Sequence, residues 1–325
     1  MNKVVVRCPL PDGWLTPLES VAQLQVLAAD ATRAQVLSAL ADAAGFVALL
    51  SDRVDAELLA AAPKLQIVAN FAVGYNNVDL DAAQHRGIWV TNTPDVLTDA
   101  TADLTWSLIL TVARRIVEAQ ETLRREREVH WGPTKLLGRS LRGKLLGIVG
   151  WGRIGRAVAE RAAGFGMRLQ YTDLVTPVAV PSLDCAQAVS LAQLVATSDV
   201  ISLHVPLTMQ TRHLLDAAML QTAQKSTIVI NTSRGPVIDE SALARALREG
   251  RLAGAGLDVF EREPEVCPEL WDAPNAVLVP HIGSATVETR RAMALLAAQN
   301  VAEVLAGREP PTPVVRGRQR DAAPR

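Results

Sequence analysis

Short apolar runs separated by helical and turn-forming stretches recur from one end of the chain to the other. In the first third, Lys3 to Arg7, Leu24 to Ala28, Phe46 to Leu50, Leu65 to Ala69 and Ile88 to Thr91 have the composition of buried strands. Ala31 to Ala41 and Asp79 to Arg86 carry helical patterning between them. That alternation predicts a parallel, doubly wound sheet. From Asp99 to about His130 a run without Gly or Pro sets Leu104, Leu108, Ile109, Val112 and Ile116 at helical spacing, followed by the charged stretch R-R-E-R-E. Thr98 or Asp99 is a suitable N-cap, so the pattern predicts one long helix leading from a first domain into a second. The rhythm then resumes through strands at Asp199 to His204, Ser226 to Asn231, Leu252 to Val259 and Ala276 to Val279. Thr286 to Ala306 reads as a closing amphipathic helix that crosses back to complete the first domain, and the Pro- and Arg-rich sequence beyond Pro310 reads as a frayed tail.

Near the middle, K-L-L-G-I-V-G-W-G-R-I-G-R runs a buried strand, Leu145 to Val149, into a G-x-G-x-x-G turn and a helix over Arg156 to Ala163. In a dinucleotide-binding unit Gly150 makes the tight turn, Gly152 lets the backbone approach a pyrophosphate, and Gly155 lets the helix pack on the sheet. The free N–H groups at the helix start, around Arg153 and Ile154, then face the anion. A second strand, Arg168 to Thr172, delivers Asp173 about 18 residues beyond Gly155, close to the spacing expected of the acid that binds the ribose hydroxyls. A nicotinamide dinucleotide is the expected cofactor. NADH is expected over NADPH, because Asp173 repels a 2′-phosphate and the L-V-T-P stretch after it has no Lys or Arg. The segment following Asp173 holds two prolines and no obvious helix.

Composition narrows the class. With 325 residues, 49% hydrophobic and 21% charged, the chain can bury cores for about two domains. A net charge of −1 gives no electrostatic footprint for nucleic acid. No apolar run reaches the roughly 18 residues of a membrane span, and the reading is a soluble, cytoplasmic protein. Cys8, Cys185 and Cys267 are far apart and suggest neither a disulfide framework nor a zinc site, and the histidines show no metal-ligand spacing.

Ligands of such sheets bind outside the carboxyl ends of the strands. Three strand-end loops of the second half present an arginine, a carboxylate and a histidine: Arg234 in N-T-S-R-G-P, Glu263 in L-D-V-F-E-R-E-P and His281 in L-V-P-H-I-G-S. Together with A-V-G-Y-N-N-V-D near residue 72, T-D-A-T-A-D-L-T-W, G-W-G-R-I-G and H-V-P-L-T, these loops make the chain resemble the D-isomer-specific 2-hydroxyacid dehydrogenases over nearly its whole length. Within that family it is most similar to the glyoxylate and hydroxypyruvate reductase branch. The resemblance implies an α/β fold of two doubly wound parallel-sheet domains, with a Rossmann NAD-binding domain over 98–285 inserted into a flavodoxin-like substrate domain formed by 1–97 and 286–325. Catalysis is expected in the cleft between them, with closure excluding water.

The chemistry suits those residues. The planar fork of Arg234 can hold both the carboxylate and the ketone of a 2-oxo acid. His281 can donate the proton as hydride arrives, and Glu263 on its other ring nitrogen would orient the imidazole. Glu263 is preferred to Glu261 because the family's acid directly precedes a proline, here Pro264. The resemblance further implies that backbone N–H groups of Val73 and Gly74 hold the substrate carboxylate and that Asp258 accepts from the nicotinamide carboxamide. It places the adenosine near Val205 and Pro206 and makes Gly283 a cofactor contact. Set against the family pattern, the proline-containing segment after Asp173 is a departure that implies a shortened flank beside the adenine. Thr211 and Thr232 are cofactor-contact candidates, with simple turn capping an equal alternative. His204 reads as structural, and Trp131 as a pocket wall or, equally, as a core or interface residue.

The expected reaction is NADH-dependent reduction of glyoxylate or hydroxypyruvate to glycolate or D-glycerate by a homodimer. The alternatives are another D-2-hydroxyacid dehydrogenase acting on 2-ketogluconate, D-lactate or 3-phosphoglycerate, and, in a different class, an NAD-sensing corepressor-like interaction protein. Formate dehydrogenase relatives are disfavoured because they carry glutamine where this chain has Glu263.

Overall fold

The computed structural model describes residues 1–128, 130–173 and 183–318, and its chain divides into two compact units, 1–97 with 285–325 and 98–284. The expected shortened flank beyond Asp173 lies on 174–182, outside the described residues.

In the first unit the strands β1 (Asn2–Val6), β2 (Ala22–Val26), β3 (Gly45–Ala48), β4 (Ile67–Asn70) and β5 (Trp89–Thr91) are all parallel and lie in the order 5-4-3-1-2. This is the flavodoxin-like order, whose switch point falls between β1 and β3. The sheet core is apolar throughout: Val5, Phe46, Ala48 and Val68 pack with Leu40, Leu58 and Leu59 from the flanking helices. Helices begin where a side chain can satisfy free N–H groups. Thr32 caps Arg33–Leu40 in a full capping box with Gln35, and Asp79 caps Leu80–Arg86.

The expectation of a frayed tail beyond Pro310 is corrected. Pro313–Val315 forms a strand antiparallel to β5, with Val315 buried. Its entry is fixed by Thr312, which donates to the Asn92 carbonyl and pairs with Asn300 on the closing helix Val287–Leu305. A strand of three residues with two prolines before it carries no periodic signal, so its pairing depends on neighbours remote in sequence. Only residues 319–325 of that tail lie outside the described residues.

The second unit holds β6 (Leu145–Val149), β7 (Arg168–Thr172), β8 (Gln187–Ala188), β9 (Val200–Leu203), β10 (Ile228–Asn231), β11 (Gly254–Leu257) and β12 (Ala276–Leu278). They form one parallel sheet in the order 12-11-10-9-6-7-8. That is the Rossmann order with a seventh strand added, and the chain reverses direction across the sheet between β6 and β9.

The single long helix expected from Asp99 to His130 is instead two helices, Thr98–Ala113 and Ile116–Glu126. Arg115 takes a left-handed conformation (φ 53°) between them, and its guanidinium turns onto Glu118 at 2.7 and 2.6 Å. The Ala113 carbonyl accepts from Arg139 N–H at 2.7 Å instead of continuing the ladder. Sequence periodicity missed the break because neither Gly nor Pro marks it. The first helix packs into the sheet through Leu108, Ile109 and Val112, and Trp106 stacks on Phe165 at 4.2 Å while donating to the Val158 carbonyl. The second helix buries none of its residues and leaves Ile116, Val117 and Leu123 exposed. Among the described residues no helix is long and apolar enough to cross a membrane.

Candidate active site

The glycine turn sits at the sheet's switch point, between the end of β6 and the helix Arg153–Ala162. Gly150 has φ +98°, and a Cβ there would meet the His204 backbone at 2.7 Å. A Cβ on Gly155 would fall 2.1 Å from the Gly150 carbonyl oxygen, so helix and turn touch backbone to backbone. Around Gly152, by contrast, nothing lies within 4 Å of the missing Cβ. The turn is therefore closed on the protein side and open where a pyrophosphate would approach, with exposed Arg153 and half-buried Ile154 opening the helix. Asp173 stands exposed at the end of β7, and its Oδ2 accepts from Trp151 N–H at 2.6 Å, tying the acid to the turn it follows. These residues fit a dinucleotide.

Other predicted cofactor positions line the same ends of the sheet. Val205 is buried and Pro206 exposed just beyond β9. Thr211 Oγ1 donates to the Pro206 carbonyl at 2.6 Å and accepts from Thr208 N–H, so its hydroxyl caps this turn. Thr232 Oγ1 pairs with Thr105 Oγ1 at 2.8 Å; since Thr105 spends its proton on the Thr101 carbonyl, Thr232 is the donor. Both hydroxyls are committed within the protein. His204 bonds Ser202 Oγ through Nε2 at 2.8 Å, and burial pushes its pKa down to about 3, which keeps it neutral. Trp131 is exposed.

Arg234, Glu263 and His281 come from loops after β10, β11 and β12, three successive strands of one sheet. His281 Nδ1 lies 2.9 Å from Glu263 Oε2 and 3.2 Å from Oε1. Glu263 Oε1 also accepts from Phe260 N–H at 3.0 Å. Burial raises the Glu263 pKa, but the His281 hydrogen bond and charge, the Phe260 N–H and the Arg234 charge outweigh it, and the carboxyl lies below its ordinary value. Glu261, the rival acid, faces elsewhere: its Oε2 pairs with His213 Nε2 at 3.0 Å and its Oε1 accepts from Glu240 N–H at 3.1 Å. Burial lowers the Arg234 pKa while Glu263 raises it again, the mark of a guanidinium held in a desolvated place near a carboxylate.

Sequence reading missed Asn231 and Gly235, and the part that Asp258 plays, in holding these loops. Asn231, fully buried at the end of β10, donates to the Arg234 carbonyl at 2.8 Å and accepts from Ser233 N–H and Oγ. Gly235 lets the Arg234 loop lie on the next one, since a Cβ there would sit 1.9 Å from the Phe260 carbonyl carbon. Asp258 was expected to face a nicotinamide. Its oxygens already accept from Ile282 N–H at 2.6 Å and Gly283 N–H at 2.8 Å, and its carbonyl accepts from His281 N–H. Burial raises the Asp258 pKa, against the pull of those N–H groups and of His281. This clamp accommodates the left-handed φ of 51° at His281. The signal available in the sequence was the short polar residue ending each strand, Asn231 and Asp258, of the type that bonds neighbouring backbone.

In the first unit, Val73 and Gly74 lie just past β4. Their carbonyls accept from Asn92 Nδ2 at 2.8 Å and Asn70 Nδ2 at 2.9 Å. Among the described residues no group of three or more His, Cys, Asp or Glu could hold a metal ion.

Comparison with known proteins finds relatives that span nearly the whole chain. The family model described as D-isomer specific 2-hydroxyacid dehydrogenase, NAD binding domain, matches residues 106–283. The glyoxylate reductase of Thermococcus litoralis is 46% identical over 315 residues, 95% of each chain. The crystal structure of a glyoxylate reductase from Paecilomyes thermophila superposes with a TM-score of 0.86 at 33% identity, covering 96% of this chain and 98% of that one. A structure described as an NADPH-dependent glyoxylate/hydroxypyruvate reductase from Sinorhizobium meliloti, with citrate bound, gives 0.85 at 34% identity over 97% and 98%.

Proposed function

The chain belongs to the D-isomer-specific 2-hydroxyacid dehydrogenase family, and on that premise we propose that it reduces glyoxylate or hydroxypyruvate to glycolate or D-glycerate. As a member it is an oxidoreductase that uses a nicotinamide cofactor on a small acid, and the cofactor, when bound, supplies the hydride. The observation that carries the proposal is the His281–Glu263 pair at 2.9 Å with Arg234 close enough to lower the carboxyl's pKa. Arg234 binds the substrate carboxylate and polarises the ketone. His281 donates a proton from Nε2 to the developing alkoxide, since Nδ1 is engaged by Glu263. Glu263 orients the imidazole through its bond to Nδ1. The N–H groups of Val73 and Gly74 receive the substrate carboxylate.

In this reading 98–285 is the NAD-binding domain and 1–97 with 286–325 the substrate domain. Gly150, Gly152, Arg153, Ile154 and Gly155 cradle the pyrophosphate, Asp173 takes the ribose hydroxyls, and Val205 and Pro206 flank the adenosine. Asp258 and Gly283 border the nicotinamide. The committed hydroxyls of Thr211 and Thr232 leave these two shaping the pocket wall through their backbone turns. Asp173 favours NADH over NADPH. The exposed apolar side chains of Ile116, Val117 and Leu123, on a helix with no buried residue, are proposed to be covered in a homodimer. The enzyme is placed in the cytoplasm, where its soluble cofactor and substrate are at hand.

Initial rates of NADH oxidation across a panel of 2-oxo acids test the substrate assignment. The highest kcat/KM is expected for glyoxylate or hydroxypyruvate. A higher value for pyruvate or 2-ketogluconate rejects it.

A further inference from the structure

Three consecutive carbonyls around Val73 are each held by a hydrogen bond from a different place in the first unit. The Ala72 carbonyl accepts from Thr93 N–H at 2.9 Å, the Val73 carbonyl from Asn92 Nδ2 at 2.8 Å, and the Gly74 carbonyl from Asn70 Nδ2 at 2.9 Å. A trans peptide is planar, with its N–H directed opposite to its carbonyl. Fixing those three carbonyls therefore fixes the directions of three N–H groups, those of Val73, Gly74 and Tyr75. None of the three donates to another group among the described residues.

The two asparagines are themselves braced. Asn70, the last residue of β4, has no exposed surface, and its carboxamide forms a reciprocal pair with that of Asn77: Asn70 Nδ2 donates to Asn77 Oδ1 at 3.2 Å and Asn77 Nδ2 to Asn70 Oδ1 at 3.1 Å. Asn77 Nδ2 also reaches the carbonyls of Leu49 and Asp52, both at 3.1 Å. Asp52 in turn accepts from Leu49 N–H and from Arg7 Nε at 2.6 Å. Asn92, which follows β5, is anchored through its own backbone, its carbonyl accepting from Thr312 Oγ1. The loop is thus tied to the ends of β1, β3, β4 and β5. A flexible loop could satisfy its carbonyls with water. Taking two of them with anchored carboxamides and the third with a backbone N–H makes sense where the opposite edge must be ready to bind.

We propose that Asn70 and Asn92 are positioning residues of the substrate carboxylate site, aligning the N–H groups of Val73 and Gly74 and adding that of Tyr75 as a third donor. The inference rests on the reading that this loop receives the carboxylate. Side-chain amides suit the task better than hydroxyls, because Asn70 must donate to the loop and to Asn77 at once while accepting from Asn77.

Steady-state kinetics of Asn92→Ala and Asn70→Asp with glyoxylate, inhibition by oxamate, and NADH affinity by fluorescence test it. Asn70→Asp keeps the side-chain size but sets a carboxylate against the Gly74 carbonyl. The expected result is a rise of about tenfold or more in the KM for glyoxylate and in the oxamate inhibition constant, with kcat falling much less and NADH affinity unchanged. Should the buried Asn70 variant fail to fold, the partly exposed Asn92 decides the matter alone. Unchanged KM and oxamate inhibition in a folded Asn92→Ala overturn the proposal, as does a loss confined to kcat. Val73→Pro, which deletes one donor outright, separates the two possible failures. If it raises KM while the asparagine variants do not, only the positioning role falls. If it too leaves KM unchanged, the loop does not bind the carboxylate and the underlying reading falls with it.

Discussion

Glu263 Oε2 holds His281 Nδ1 at 2.9 Å, while the loops that carry the two side chains are pinned separately. Glu263 is anchored by Phe260 N–H, and His281 by the carbonyl of Asp258, whose carboxylate clamps the next two N–H groups. The pair is therefore preorganised by backbone contacts and does not depend on its own hydrogen bond for position, which separates the chemical role of each residue from its structural one.

His281→Ala is expected to cost roughly 10²- to 10⁴-fold in kcat, the usual worth of a positioned acid, with the fold intact because the backbone clamp survives. Glu263→Gln is expected to retain the fold at neutral pH and lose less activity. Its stability relative to the wild type depends on pH with a definite sign. The folded-state pKa of Glu263 is below its ordinary 4.5, so the carboxylate's contribution is present above 4.5 and is lost as pH falls through the folded value. Thermal melts from pH 7 down to pH 3 should show the variant's deficit at the upper end shrinking toward zero in acid. Near-normal turnover by a folded His281→Ala would mean that the proton donor has been misassigned.

Gly235→Ala tests the contact between the Arg234 and Glu263 loops. The added Cβ would have to displace backbone, which lies 1.9 Å away at Phe260, and no side-chain rotation can relieve that. A loss of about 2 kcal/mol or more in stability is expected, together with a raised KM for the 2-oxo acid as Arg234 shifts. Denaturant unfolding and kinetics together check this; an unaffected KM would show that the arginine does not depend on the close approach.

Much of this arrangement was legible from the chain because it rests on local chemistry. The alternation of short apolar runs and helices gave both sheets, and Gly150, Gly155 and Asp173 stood at spacings that strand and turn geometry impose. Arg234, Glu263 and His281 could be picked out because they follow three buried strands in turn and in the order of the family that the chain resembles. What escaped was contact between distant segments: the break at Arg115, made by a left-handed residue with Arg139 N–H on the Ala113 carbonyl, and the Pro313–Val315 strand, paired with a partner over two hundred residues earlier. The bracing residues Asn231, Asp258 and Asn70 were visible as polar strand ends, yet which backbone groups each would hold is a property of the folded loops.

Glu240 offers a pH test away from the proposed proton donor. It is buried at the start of the helix Glu240–Arg248, and its Oε1 accepts from Glu261 N–H at 2.6 Å. Burial, with Glu261 and Glu263 adding to it, pushes its pKa up to about 7 despite the N–H groups it accepts from. The unfolded chain releases this proton near 4.5 and the folded one near 7, so ionisation opposes folding and stability falls as pH rises through that window. The slope is at most roughly 1.4 kcal/mol per pH unit. Glu240→Gln keeps an acceptor for Glu261 N–H and should flatten the decline, matching or exceeding the wild type at pH 8 while trailing or equalling it at pH 4. Parallel stability curves for the two proteins would show that Glu240 titrates normally.

Cofactor choice should follow Asp173. Its carboxylate stands exposed at the end of β7, where the ribose hydroxyls of a bound dinucleotide are proposed to lie. A 2′-phosphate there would bring like charges together. At 4 Å a unit pair repels by about 1 kcal/mol in bulk water and about 4 kcal/mol at the effective permittivity of a protein surface, and a phosphate carries more than one charge. Since about 1.4 kcal/mol is tenfold, kcat/KM with NADH should exceed that with NADPH by at least roughly tenfold. Asp173→Ser should narrow that ratio by relieving the repulsion. It should also weaken NADH itself, because Trp151 N–H loses the acceptor that ties the glycine turn to the strand end. The informative quantity is therefore the ratio of the two efficiencies, measured for both proteins under one ionic strength because screening acts on this term. Equal efficiencies in the wild type, or a ratio that Asp173→Ser leaves unmoved, would show that the carboxylate does not set the preference.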